Sequence, residues 1–405
     1  MTRAPLLIPL AALAFLTAAS APEAPRPDPI AALKARLEKG LDHLKFEDNA
    51  FGYLKDLLAH LGVNPDSQML VYSKTSFQSD LIGPDKPRSV FFNDTVAVGY
   101  VQGSRTLELM TATAAEGYAF YSLDNDPAAP RFVRYQDSTC GRCHGADNYA
   151  PGLIVASSPV AADGTPVFIP SDGPPRLFNF TDQTTPFAER WSGWYVTGTH
   201  GAATHQGNGA VVYSEDGQRR PGAANTQNLM SLADKFDTRT YLSPHADIVA
   251  LMTFEHQARM TNMLLGAGAA ARRGGFPRTQ LEDLLAYMLF VDEAPFPAPV
   301  AGTSGFTQSF PAKAPRDAKG RALRDFDLTT RLFKYPLSYM IYSASFDALP
   351  ADARTEIYTA LYAILTGADT SPRFARLTRD DRKAILEILQ TTKSDLPPAW
   401  KKAAL

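Results

Sequence analysis

Apolar residues recur at three- and four-residue intervals from Asp28 onward, where Ile30, Leu33, Leu37 and Leu41 share one helical face, and a second helical stretch follows over residues 51–61. The period then shortens. Residues 69–72, 89–92, 96–101, 106–110, 118–122 and 132–135 are short runs rich in β-branched and aromatic side chains, separated by Gly, Pro, Asp or Asn, and they read as strands of an antiparallel sheet. Further strand signals lie at 153–156, 166–169 and 210–213.

Beyond residue 228 the helical period returns. Pro244 after Ser243 reads as the opening of a long helix, and Thr279 with Glu282 reads as a capping box ahead of Leu281, Leu284, Leu285, Met288 and Leu289. Ile357, Leu361, Ile364 and Leu365 run to a stop at Gly367, and Thr378 with Asp381 precedes Ile385, Ile388 and Leu389. The expected class is α+β, with N-terminal helices, an antiparallel β-rich region and a helical C-terminal part. The proline-rich stretch 293–318 reads as a linker between a first region, 22–292, and a helical C-terminal region, 319–405, packing on the rest.

The first 21 residues have the make-up of a secretory signal peptide. A positive start at Arg3 precedes an almost unbroken apolar run over 6–17 and the small residues Ala18-Ala19-Ser20-Ala21. The run is shorter than the roughly 20 residues that cross a bilayer, so no integral membrane span is expected after cleavage, and the expected location is the periplasm. With 45% hydrophobic and 20% charged residues and a net charge of -2, the chain has an ordinary soluble composition. Acidic and basic residues are intermingled, which argues against nucleic acid and membrane surfaces as partners.

Cys140 and Cys143 are the two cysteines of the chain, and they stand in Cys140-Gly141-Arg142-Cys143-His144. Two thiols at this spacing can each form a thioether to a haem vinyl group, with the adjacent histidine under the iron as its proximal ligand. Cys140, Cys143 and His144 are therefore the candidate sites for one covalent haem c. A redox disulfide also uses Cys-x-x-Cys but has no need of the histidine, and a structural zinc site needs a second ligand pair, which does not follow. Export and the motif support each other, because this attachment takes place outside the bacterial cytoplasm.

For the other side of the iron, His256 is the foremost candidate metal ligand. Ile248, Met252, His256, Met260 and Met263 fall on one apolar stripe of the long helix, which turns the imidazole inward. A core histidine satisfied by hydrogen bonds is the competing account. Met252 and Met260 share that face, His200 and His205 lie in a glycine-rich loop, and an open position is the remaining alternative. His43, His60 and His245 read as surface or packing residues. Trp191 and Trp194 are placed to pack on a porphyrin or simply in the core, and Arg142, Arg190 and Arg259 are candidate partners for haem propionates.

Residues 71–76, the haem motif, residues 187–201, Phe254-Glu255-His256-Gln257 and Leu365-Thr366-Gly367 together resemble a family of large exported bacterial single-haem c-type cytochromes. The resemblance implies haem c at Cys140, Cys143 and His144, and site roles for His200, His205 and His256, without naming a reaction. The expected function is electron transfer by a periplasmic c-type cytochrome, with a redox partner protein or a small-molecule substrate in a pocket of its own as a possible haem-dependent oxidoreductase. A non-catalytic haem sensor or ligand-binding protein is the alternative. The surplus of chain over a small haem module favours a pocket or a partner surface. The lack of a second Cys-x-x-Cys-His argues against a two-haem peroxidase.

Overall fold

The computed structural model of the protein describes residues 28–113, 117–128, 130–135, 140, 144, 152–153, 155–169, 178–210, 212–213, 219–220 and 227–402. The expected signal peptide, Arg142 and Cys143 lie outside the described residues. The architecture is α+β. A seven-stranded antiparallel sheet is built from β1 (Met69–Val71), β2 (Arg88–Phe92), β3 (Val96–Tyr100), β4 (Thr106–Thr113), β5 (Gly117–Asp124), β6 (Phe132–Tyr135) and β9 (Trp194–Tyr195). Its order is β6-β5-β4-β3-β2-β1-β9, a meander to which the distant β9 adds at the β1 edge. Two small ribbons pair β7 (Ala156–Ser157) with β8 (Asn179–Phe180), and β10 (Val212–Tyr213) with β11 (Arg219–Arg220). Residues 166–169, expected as a strand, form isolated bridges instead, among them Pro166 with Val160.

Alternation along each strand sends side chains to two faces. On one, Phe91, Val98, Leu107, Leu109, Tyr121 and Leu123 pack with Ile30 and Leu33 of α1 (Pro29–Glu38) and Leu54, Leu57 and Leu58 of α2 (Leu54–His60). These helices are too short to persist alone, so that burial, about 1.5–3 kcal/mol for each large apolar side chain, is what holds them. Asp28 caps α1 by accepting from the amides of Ile30 and Ala31. The helix ends before Leu41, which the periodicity placed on its buried face; Gly40 turns the chain at φ +64°, and Leu41 is 73% exposed.

The opposite face carries Met69, Val71, Val90 and Phe92 into the main core, which includes much of the long helix α3 (Ile248–Arg272). On β4 and β5, nearer the β6 edge, Met110 and Tyr118 pack on Leu265 of the same helix. Helix α3 does not open at Pro244. Its N-cap is Asp247, whose Oδ1 accepts from the amides of Val249 and Ala250, while Oδ2 takes those of Thr303 and Ser304 from a distant loop. A fully buried carboxylate with four amide donors holds the helix start more firmly than proline geometry does.

Helix α4 (Arg278–Met288) likewise begins differently from the expected Thr279–Glu282 box. Pro277 takes the extended cap position without a side-chain bond, which places Thr279 inside the first turn. The stretch 293–318, expected as a linker, is packed into the protein. It holds α5 (Phe306–Ala312), and Val300, Phe306 and Phe310 join one core cluster that runs from Met69 to Trp400. That core also takes in α6 (Ala344–Asp347), α7 (Ala351–Thr366) and α8 (Arg379–Thr392). Helix α7 stops at Gly367 with φ +77°, and Thr378 with Asp381 forms the capping box of α8.

Candidate functional site

His144 packs over β5, next to the β6 edge of the sheet, on the face shared with α3. Its ring lies 5.1 Å from that of Phe120 in β5, whose cross-strand neighbour is Met110. Nδ1 of His144 sits 3.1 Å from the Gly152 carbonyl oxygen, and the Gly152 amide returns a bond to the His144 carbonyl. A carbonyl only accepts, so Nδ1 carries the proton and Nε2 of the neutral ring carries the lone pair. Burial pushes the His144 titration down, against the pull of the Gly152 bond, which keeps the ring in that neutral form. Cys140 is half-buried, and Cys143 lies outside the described residues.

Two charged residues of the same sheet face act on His144 through their charge. Arg88 of β2 and Glu108 of β4 form a 2.8 Å ion pair across Gly99, and both act electrostatically on the His144 ring. Arg88 Nε is buried and meets no acceptor among the described residues, so the guanidinium has donor capacity to spare. The chain pattern singled out other arginines. Arg190 is not available to a propionate: its guanidinium donates to Glu255 Oε2, Thr185 O and Gln183 O in the core. Arg259 is half-exposed, 3.8 Å from Asp182, and Arg142 lies outside the described residues. Arg88 was missed because a single arginine opening a strand carries no local signal.

His256 is fully buried and stacks against Tyr287 and Phe290. Its Nδ1 lies 2.5 Å from Gln183 Oε1, and its Nε2 lies 2.7 Å from Ser338 Oγ. Gln183 Nε2 donates to Tyr287 O, which fixes Oε1 as the acceptor of the Nδ1 proton and leaves Nε2 to accept from Ser338. Burial pushes its titration down to about 3. The lone pair that would ligate iron is therefore engaged by Ser338, the arrangement of a core histidine satisfied by hydrogen bonds. Met252 and Met260 are packed in the same core.

Its neighbours in sequence are buried as well. Glu255 accepts from Trp191 Nε1 and Arg190, and Gln257 donates to Asn93 O and accepts from Tyr339. Three consecutive polar side chains inside a helix form the hub of the core. The only trace in the chain is the unbroken Glu255-His256-Gln257 amid apolar residues.

His200 and His205 do come together, with rings 4.8 Å apart at a steep angle, and both are buried. His200 Nδ1 faces Ala203 O at 2.9 Å and Nε2 faces Gln227 O at 3.2 Å. His205 Nδ1 accepts from the Gly207 amide, and its Nε2 is buried without a partner among the described residues. Trp191 packs on His205, while Trp194 donates to Ala156 O. Of the remaining histidines, His43 is exposed, and His60 bonds to Asp56 O and Asp42.

Between the sheet and α3, Met110, Tyr118, Leu153, Phe254, Gln257 and Thr261 line a recess of about 20 Å³. That volume accommodates a water molecule and is far too small for a macrocycle. No described helix is long and apolar enough to cross a membrane. No family model matches the chain, and no curated protein or solved structure matches it.

Proposed function

We propose that this chain is a periplasmic c-type cytochrome of the large single-haem kind, with one haem c bonded to Cys140 and Cys143 and ligated by His144, acting in electron transfer. The observation that carries the reading is the state of His144. In a Cys-x-x-Cys-His sequence, its Nδ1 is held by the Gly152 carbonyl and its Nε2 is left as the metal-binding nitrogen. Phe120 supports one side of the imidazole, and Arg88 offers a charge-assisted donor of the kind that pairs with a propionate. The bound haem would supply one-electron redox chemistry at its iron. The chain's own part is to orient His144, keep it neutral and surround it with low-dielectric packing.

The test is a haem-stained denaturing gel and a pyridine haemochrome spectrum of protein matured in a periplasm. Thioether-bound haem survives denaturation, and Cys140→Ala and Cys143→Ala should each weaken or abolish the stained band. A protein carrying no haem after maturation overturns the reading.

A second reading, a haem-based ligand binder or sensor, is favoured by the engagement of both His256 nitrogens, which removes the foremost candidate for closing the sixth position. Rapid carbon monoxide binding by the reduced protein supports it, and a spectrum indifferent to carbon monoxide supports the closed electron carrier.

A further inference from the structure

The carbonyl that holds His144 does not stand alone. Gly152 is followed by Leu153, and Leu153 is gripped at both its polar groups by one side chain of α3. Asn262 Nδ2 donates to Leu153 O at 2.9 Å, and Asn262 Oδ1 accepts from Leu153 N at 3.1 Å. An amide N–H can only donate, so this pairing fixes the orientation of the Asn262 amide. Tyr118 of β5 locks it by donating its hydroxyl to the same Oδ1 at 3.0 Å. Gly152 permits the approach: a Cβ there would lie 2.9 Å from Asn262 Nδ2. A continuous chain thus links sheet, helix and loop, from Tyr118 through Asn262 and the Gly152–Leu153 backbone to Nδ1 of His144.

We propose that Asn262, locked by Tyr118, is a positioning residue for His144: it holds the Gly152 carbonyl against Nδ1 and so sets how strongly the imidazole donates through Nε2. The proposal rests on the haem reading above. A hydrogen bond from Nδ1 raises the basicity of the ligating ring and favours the oxidised metal, so loosening the carbonyl weakens that donation. Tyr118 bonds to Asn262 and Asn262 to Leu153, and neither residue belongs to the Cys140–His144 segment.

The experiment is a spectroelectrochemical titration of the matured full chain and of its Asn262→Leu, Asn262→Asp and Tyr118→Phe variants, with haem content measured for each by pyridine haemochrome. Asn262→Leu keeps the volume and removes both bonds to Leu153. It is expected to retain covalent haem and to shift the oxidised-to-reduced ratio at fixed potential about tenfold towards reduced, or about 59 mV for a one-electron couple. Asn262→Asp keeps the acceptor for Leu153 N and Tyr118, and should recover part of that shift. Tyr118→Phe leaves the Leu153 pairing and should move the potential less, in the same direction. Should Asn262→Leu not fold, Tyr118→Phe carries the test, and its unchanged potential overturns the proposal. Haem-loaded Asn262→Leu with the parent's potential also overturns it. A parent chain without haem refutes the haem reading itself, and the two failures are distinct.

Discussion

The indole of Trp191 donates through Nε1 to Oε1 of Glu255 at 2.9 Å, and both side chains are fully buried. Arg190, from the neighbouring position, binds the other oxygen of the same carboxylate at 3.2 Å. Trp191 sits at φ +73°, a conformation that a bulky residue keeps only when its surroundings hold it there. The Glu255 bond is part of that restraint. Removing Glu255 leaves a buried guanidinium uncompensated, so Glu255→Ala should destabilise the protein by about 3–5 kcal/mol. Urea denaturation checks this, and Glu255→Gln, which still accepts from Trp191, should lose less.

His256→Ala separates a core histidine from an iron ligand. It opens a cavity beside Tyr287 and Phe290 and strands Gln183 and Ser338, so stability should fall by about 2–5 kcal/mol. The absorption spectrum of the haem-loaded protein should match that of the parent. A changed ferric spin state would restore His256 as a ligand.

Glu293 gives the fold a pH dependence. It is buried and accepts from the Leu332 amide, and burial pushes its titration up from 4.5 to about 7, against the opposing pull of that bond and of Arg190, Arg376 and Arg331. The folded state therefore holds a proton that the unfolded chain has released. Stability is highest below about pH 4.5 with respect to this group and declines as pH rises towards about 7, by on the order of 3 kcal/mol. Glu293→Gln lacks the titration, so the difference between parent and variant in urea midpoint should shift in the variant's favour from pH 5 to pH 7.5. A difference independent of pH would sink this assignment.

Asp247→Ala should cost more than an ordinary helix cap. Besides the two amides at the start of α3, it strands those of Thr303 and Ser304, so the loss should exceed about 2 kcal/mol. Hydrogen exchange should show faster exchange in both the first turn of α3 and the loop at 303–304. Faster exchange in the helix alone would mean that the cap does not tie the two segments together.

Much of this fold was legible along the chain. The six strands of the meander were found within a few residues, because alternation and turn residues are local properties of backbone and side chain. Gly367 and the Thr378–Asp381 pair ended α7 and began α8 as expected, since caps act within one turn. Misreadings arose where a distant partner overruled a local signal. Pro244 lost the start of α3 to Asp247, which gathers amides from positions 303 and 304.

The candidate site divides in the same way. The chain by itself determined the Cys140–His144 motif and the stripe that buries His256, for both are matters of spacing. Only the tertiary structure decided what each histidine's nitrogens meet. The Gly152 carbonyl holds His144 through Nδ1, while Gln183 and Ser338, 73 and 82 positions from His256, occupy both of its nitrogens. Periodicity states which way a side chain faces; its hydrogen-bond partners come from segments far away in sequence, which no local pattern specifies.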